Sequence, residues 1–237
     1  MAGSLDEFCS PQTWSSPGIG SLAFIETEHR FKIEANVRVV SSQGSSAAKA
    51  ILRESLRALT SQCPFLITSD VQIDIEWRVP SQHRYESDGT ADVDNIIKPI
   101  LDAISGPDGI MVNDCQLQAV QSYWLDSHPR HSVAVSVDTF DGSLYAKRDL
   151  VFFEVMSRLF FPMDDSLPPD FIERSLTHIE AMVAARRTAE AAEMSYEAAN
   201  SLMPFQRLFH RTRVSEFRRL TIKEYRDLLA ARPRFGV

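Results

Sequence analysis

Apolar and polar residues alternate most regularly over Val71–Val79, where Val71, Ile73, Ile75, Trp77 and Val79 share one parity. Side chains of an extended chain point to opposite faces in turn, so this spacing predicts a strand with one buried face. The same period appears over Phe31–Val40 (Phe31, Ile33, Ala35, Val37, Val39), after a shorter strand-like piece at Leu22–Ile25. Ser41–Ser46 reads as a loop. Over Ala47–Leu59 the period changes, because Ile51, Leu52, Leu56 and Leu59 fall at helical spacing. Pro80–Thr90 is polar and predicts a second loop. Ile96, Ile97, Ile100, Leu101 and Ile104 then line one face of a helix that Asp94 would N-cap and Gly106-Pro107 would stop. Pro99 suits such a helix only near its first turn, since it has no N–H to donate. Gln116–Leu125 and His131–Val137 read as two strands joined by a turn around Ser127-His128-Pro129.

Past Phe140 the pattern turns helical. Leu150–Phe161 is strongly apolar and is expected to form a helix docking on the preceding core. Pro169–Leu202 predicts one or two long helices rich in Ala and Glu. Thr221-Ile222-Lys223-Glu224 has the spacing of a capping box, opening a last helix that ends near Ala231. Residues up to Gly20 are rich in Ser, Gly and Pro and read as a mobile lead-in. The elements predict an α/β (α+β) fold: a small mixed sheet packed with helices, followed by a helical C-terminal region. The expected organisation is a lead-in over 1–20, a first domain over 21–140 and a helical extension over 141–237.

Composition changes this picture in two places. No apolar run approaches the roughly 20 residues that span a bilayer, and no signal peptide is visible near Met1, so no membrane association is expected. Cys9, Cys63 and Cys115 are widely spaced and form no C-x-x-C pair, which argues against structural zinc and fits a reduced, cytoplasmic setting. The net charge is −7, an awkward balance for a protein that would bind nucleic acid. Its distribution is uneven: from Met203 onward nine bases face three acids, a local +6, which leaves −13 for the rest.

The chemistry concentrates in Ala91-Asp92-Val93-Asp94-Asn95-Ile96-Ile97-Lys98-Pro99-Ile100-Leu101-Asp102 and in Val112-Asn113-Asp114. In an extended chain Asp92 and Asp94 would face the same way, and about twenty residues later Asp114 has enough chain to return to them. Three close carboxylates repel one another unless a cation neutralises them, and Mg²⁺ prefers such oxygen ligands. Lys98 stands close enough in sequence to reach a phosphate or a developing alkoxide. A metal-dependent phosphoryl-transfer site follows from these residues. Other D-x-D chemistries fit less well. No nucleotide-binding βαβ pattern precedes the motif, and Ser87-Asp88-Gly89-Thr90 is not the apolar strand that a phosphoaspartyl phosphatase needs.

Asp92-Val93-Asp94-Asn95, Lys98, Asp102-Ala103 and Asn113-Asp114-Cys115-Gln116 together resemble the signature of the RusA-type Holliday-junction resolvases, over roughly Ser21 to Phe140. The resemblance implies a small, homodimeric, Mg²⁺-dependent endodeoxyribonuclease that acts on branched DNA, with Mn²⁺ as an alternative ion. It places metal binding on Asp92, Asp94 and Asp114, and catalysis on these three and Lys98. His83 and Arg84 precede the motif where related enzymes carry bases that touch DNA, although Glu86 and Asp88 dilute that character here. Asn95 would support a ligand from behind. Asp102 would either add an outer carboxylate or hold Lys98 one helical turn away. His128 and His131 flank a turn and read as structural.

Two readings stay open beside the nuclease. The fold could serve as a catalytically weak DNA- or protein-binding module, acting through its C-terminal helices on a partner the sequence does not name. The segment Arg207–Arg219, with Phe205, Phe209 and Phe217 around it, could pack on its own protein as an amphipathic helix or bind nucleic acid by charge and stacking.

Overall fold

The computed structural model describes residues 11–87, 91–127, 130–140, 143–203 and 207–231. Cys9, Asp88, His128, Phe205, Arg232 and Arg234 lie outside these residues. The chain divides into two compact units, Met1–Leu144 and Tyr145–Val237.

The first unit contains β1 (Gln12–Ser16), β2 (Gly20–Ile25), β3 (Arg30–Ala35), α1 (Ser46–Thr60), β4 (Phe65–Ile67), β5 (Val71–Pro80), α2 (Ser81–Glu86), α3 (Ile97–Ile104), β6 (Leu117–Ser127) and β7 (Ser132–Thr139). The division between units falls within the short β8 (Leu144–Ala146). Six strands form one sheet in the order β1-β2-β3-β7-β5-β6. Every pairing is antiparallel except β5 with β6. The strict alternation of β5 has its expected effect: Val71, Ile73, Ile75, Trp77 and Val79 are all buried. Leu22, Phe31 and Ile33 join them from neighbouring strands, and α1 and α3 cover this face with Leu52, Leu56, Leu59, Ile100 and Ile104.

The parallel pair decides where the motif goes. Two antiparallel strands can be joined by a tight turn, but parallel neighbours need a crossover of a dozen or more residues. Here Val71 of β5 stands opposite Leu117 of β6, so the chain leaving β5 must travel back the length of the sheet. Residues 81–116 make that return, and every candidate carboxylate and Lys98 lies on it.

The mixed α+β class, the helix over 46–60 and the strands β2, β3, β5, β6 and β7 follow the sequence pattern, β1 and β4 are additional, and several boundaries need correction. Residues 12–16 are not lead-in, since β1 pairs with β2 from Gln12↔Phe24 to Ser16↔Gly20. Strand pairing of Phe31–Val40 stops at Ala35, although Val37 and Val39 stay buried. The polar stretch after Pro80 contains α2 rather than loop alone. Pro99 is the third residue of α3, where the missing N–H has no helical acceptor to serve. Beyond α3, Gly106 takes φ 96, a left-handed conformation that suits glycine, and the helix stops as expected.

The second unit contains β9 (Leu150–Met156), β10 (Leu159–Asp164), α4 (Pro169–Ala191), α5 (Tyr196–Asn200), β11 (Phe209–His210), β12 (Arg219–Thr221) and α6 (Ile222–Ala231). Leu150–Phe161 is therefore not a helix, and the C-terminal region is not purely helical. β9 and β10 form an antiparallel hairpin at the centre of a four-stranded sheet, β11-β10-β9-β12. A short continuous apolar run fits a helix or a strand buried on both faces, and periodicity cannot separate them. Here both faces are filled. Phe152 meets Phe209 and Phe217 edge-on at 5.6 and 5.1 Å, while Phe153 meets Tyr225 at 5.1 Å. The segment Arg207–Arg219 supplies β11, turns and the start of β12 rather than an amphipathic helix. At the start of α6 the capping box is present: Glu224 N–H donates to Thr221 Oγ1 at 3.1 Å, and Thr221 N–H donates to Glu224 Oε2 at 2.7 Å.

Candidate active site on the crossover

Lys98 organises the crossover. Its Nζ donates to Asp102 Oδ1 and to Asp114 Oδ2, both at 2.6 Å. Asp102 comes from the next turn of α3, and Asp114 from the short 3-10 turn Asp114–Gln116 that leads into β6. An ammonium has three N–H donors, so one remains for a further acceptor. Partial burial pulls the Lys98 pKa down, but the hydrogen bonds and charges of Asp102 and Asp114 outweigh it, and the net shift is upward. Lys98 is thus held as a cation at neutral pH, suited to stabilising negative charge or giving up a proton rather than taking one.

Asp114 is placed by two residues whose roles were not legible as chemistry. Asn113 Oδ1 accepts from Cys115 N–H at 3.1 Å, and Gln116 Oε1 accepts from Asn113 N–H at 2.9 Å. Gln116 is fully buried, and its Nε2 also donates to the carbonyls of Ile67 and Ser69 at 3.0 and 2.6 Å. A buried amide with this many bonds fixes the turn against the core. The N-x-x-Q spacing of a capping box was the available signal.

Asp92 and Asp94 are exposed and stand at the opening of the same crossover. They do not alternate on an extended strand. Val93 is helical (φ −62, ψ −32), and Asn95 N–H donates to the Asp92 carbonyl at 3.1 Å, closing a turn. Nor does Asp94 cap the helix, since no side-chain cap bond forms at Asp94–Ile96 or at α3. Asn95 does the local fastening. Its side chain donates to Asp94 Oδ1 at 3.4 Å and accepts from Ser42 Oγ at 3.1 Å, while its carbonyl accepts from Ser42 N–H at 2.7 Å. Ser42, a residue absent from the sequence reading, therefore ties the loop after β3 to the motif.

The donors are all carboxylate oxygens, the kind that hard divalent ions take. Two of them, Asp102 and Asp114, converge, and they converge on Lys98. Among the described residues no three His, Cys, Asp or Glu side chains stand close enough to share one ion. Mg²⁺ keeps several waters and is commonly held by one or two protein carboxylates with substrate phosphate completing its shell, so the donor set fits such an ion in chemistry.

A cleft of 560 Å³ adjoins the motif, lined by Arg38, Gln43, Trp77, Asp92, Asn95 and His131 among others. His83 and Arg84 on α2 stand nearby and are engaged with their own protein. His83 Nδ1 lies 2.9 Å from His131 Nε2, with the rings stacked at 5.1 Å. Arg84 pairs with Asp126 at 2.8 Å and lies over the Trp124 ring at 4.8 Å. Burial, then the charges of Arg38 and His83, hold the His131 pKa below its ordinary value.

Among the described residues no helix is long and apolar enough to cross a membrane. Comparison with individual curated proteins yields no match. A protein-family model does match: residues 25–136 fit the family described as endodeoxyribonuclease RusA. That span holds β3, both helices of the core, the whole crossover and β6. Residues 25–136, a little under half of the chain, are thus similar to the endodeoxyribonuclease RusA family.

Proposed function

We propose that this chain is a divalent-metal-dependent endodeoxyribonuclease that nicks branched DNA, four-way junctions above all, and that it works as a homodimer. The observation carrying the proposal is Lys98 clamped between Asp102 and Asp114 on the crossover that also bears Asp92 and Asp94, within the family-matched span. Asp92, Asp94 and Asp114 are the proposed ligands, which binding of an ion would have to draw together, with Mg²⁺ the natural occupant and Mn²⁺ a substitute. When bound, such an ion polarises the scissile phosphate and acidifies a water. Lys98 directs its third N–H at a phosphate oxygen, offsetting charge as the phosphorus becomes pentacovalent, or gives a proton to the leaving 3′ oxygen. Asp102 keeps the ammonium in place, and Gln116 keeps Asp114 within its reach. Asn95 and Ser42 hold the Asp92–Asp94 turn. His83 and Arg84 would contact DNA beside the site, Arg84 by exchanging Asp126 for a phosphate.

A symmetric pair of nicks needs two active sites, which a two-fold dimer supplies. β6 supports this part of the reading. It is an 11-residue strand at the edge of the sheet, and Val120, Tyr123 and Leu125 on it are exposed. A long edge with apolar side chains is a ready template for a second chain.

The test compares wild type with Asp92→Asn on a labelled four-way junction, a matched duplex and a single strand, each with Mg²⁺ or EDTA. Junction-selective nicking that needs both Mg²⁺ and Asp92 is expected. Tight binding without cutting under every condition would overturn the nuclease reading in favour of a binding module.

A further inference from the structure

The cleft beside the motif has a cation, orphaned polar groups and no function assigned to it. Arg38 follows β3 and is exposed, while Val37 and Val39 on either side are buried, so its side chain is turned outward by the packing of its neighbours. Arg30, Arg78 and Arg84 are each held by a carboxylate. Among the described residues Arg38 has no ion pair or hydrogen bond. Its position is notable because the crossover is a poor place for a polyanion: it carries Asp92 and Asp94 besides the Asp102 and Asp114 that Lys98 pairs with. A DNA strand reaching the site needs a cation close by, and Arg38 lines the same cleft as Asp92.

The polar interior of the cleft is also incomplete. Trp77 is 1% exposed, and its Nε1 has no partner among the described residues. An indole N–H can only donate, and a buried unpaired donor costs free energy that a bound acceptor would recover. His131 uses Nε2 toward His83 Nδ1, which leaves its buried Nδ1 unpartnered. Gln43 and Ser41 add amide and hydroxyl groups at the same wall, and Val39, Val40 and Ala48 give it an apolar side. A volume of 560 Å³ lies in the range of about 300–1,000 Å³ that suits a small-molecule-sized occupant such as one nucleotide.

We propose that this cleft receives one nucleotide of the DNA strand next to the scissile phosphate, with Arg38 gripping its phosphate and Trp77 and His131 meeting its polar atoms. This rests on the nuclease reading above and adds a strand-positioning subsite to it. The guanidinium suits the task because its planar fork can bind two phosphate oxygens at once. Gln43, on the loop that Ser42 ties to Asn95, would link occupation of the cleft to the position of the Asp92–Asp94 turn.

The experiment uses the full chain as wild type, Arg38→Ala and Arg38→Lys. Binding to a four-way junction is measured in EDTA across 50–200 mM salt, so that cutting does not intervene. Arg38→Ala is expected to weaken binding about tenfold and to flatten the salt dependence by about one phosphate contact. Arg38→Lys should restore most of the salt slope but less of the affinity, because a point charge replaces the fork. A second readout follows the indole N–H resonances of Trp14, Trp77 and Trp124 during titration with a single-stranded trinucleotide. The Trp77 signal should move in wild type and stay in place in Arg38→Ala. Affinity and salt slope unchanged by Arg38→Ala, or a Trp77 signal indifferent to the trinucleotide, overturns the subsite. Neither readout depends on cleavage. A wild type that binds and shifts Trp77 without cutting would refute the nuclease reading and leave the subsite standing, whereas normal cutting with an unaltered Arg38→Ala would do the reverse.

Discussion

Lys98 in the first unit and Arg226 in the second make the same electrostatic figure, a cation between two carboxylates. Lys98 bridges Asp102 and Asp114 at 2.6 Å each; Arg226 reaches Glu173 at 2.7 Å and Glu180 at 2.8 Å. Both cations are pushed upward in pKa, Arg226 chiefly by its hydrogen bonds to Glu180 and Glu173. Their settings differ. Glu173 and Glu180 are seven residues apart on α4, two turns of one face, and Arg226 comes from α6, so the cluster joins two helices of a single packed unit. Arginine suits it, with five donors in a fixed fork to divide between two acceptors. At Lys98 the cation is a compact ammonium, and Asp92 and Asp94 bring further negative charge to the same crossover. Ion pairing alone does not mark an active site; the surplus of carboxylate on the Lys98 crossover is what supports the proposal made for it.

Substitutions at these positions sharpen the contrast. Lys98→Ala should lower single-turnover junction cleavage by about 10²–10³-fold, the usual cost of removing a preorganised transition-state donor, while the Tm barely changes. A large fall in Tm with cleavage intact would reverse the roles assigned to the two clusters. Gln116→Ala comes next. It strips partners from Ile67 O, Ser69 O and Asn113 N–H in a buried setting and should cost about 3 kcal/mol in denaturant unfolding, with cleavage falling as Asp114 loosens. Arg226→Ala should cost only about 1 kcal/mol, because the side chain is 37% exposed and solvent screens the pair. Its cleavage rate should match wild type, and a loss there would mean the second unit takes part in the chemistry.

The smallest effect is in pH. Folding raises the pKa of Lys98, so its stabilising contribution is complete below the unfolded lysine value of about 10.4 and fades as pH rises through the higher folded value. The Tm difference between wild type and Lys98→Ala should therefore be flat from about pH 6 to 9 and shrink in more alkaline solution. A difference that changed with pH near neutrality would place the relevant titration on another group.

Much of the site was legible because its residues lie close in sequence. Lys98 and Asp102 are one helical turn apart, so their pairing follows from helix geometry alone. Chain length predicts that Asp114 returns to Asp92 and Asp94; the contact it makes is instead with Lys98, at 2.6 Å. Asp92 and Asp94 show the opposite case. Period-two reasoning assumed an extended chain, but hydrogen bonds from Asn95 and Ser42 make the segment a turn. No local pattern carried that, because Ser42 is 53 residues away. Gln116 was visible as a letter in a motif and not as the bracket of Asp114, for its acceptors sit on a different strand and just beyond it. The cleft was illegible throughout, since Arg38, Trp77 and His131 come from three separate stretches.

By itself, then, the sequence determined what short-range geometry controls: the buried face of β5, the helix over α1, the stop at Gly106, the capping box at Thr221 and the Lys98–Asp102 pair. Each depends on residues within a few positions, where backbone period and side-chain reach are set by covalent geometry. Tertiary structure alone decided the rest. The parallel pairing of β5 with β6 forced the long crossover that gathers the charged residues. The run Leu150–Phe161 became a hairpin because packing partners existed for both of its faces, Phe209 and Phe217 for Phe152 and Tyr225 for Phe153. An apolar run does not reveal how many of its faces will be covered, and only the assembled sheet does.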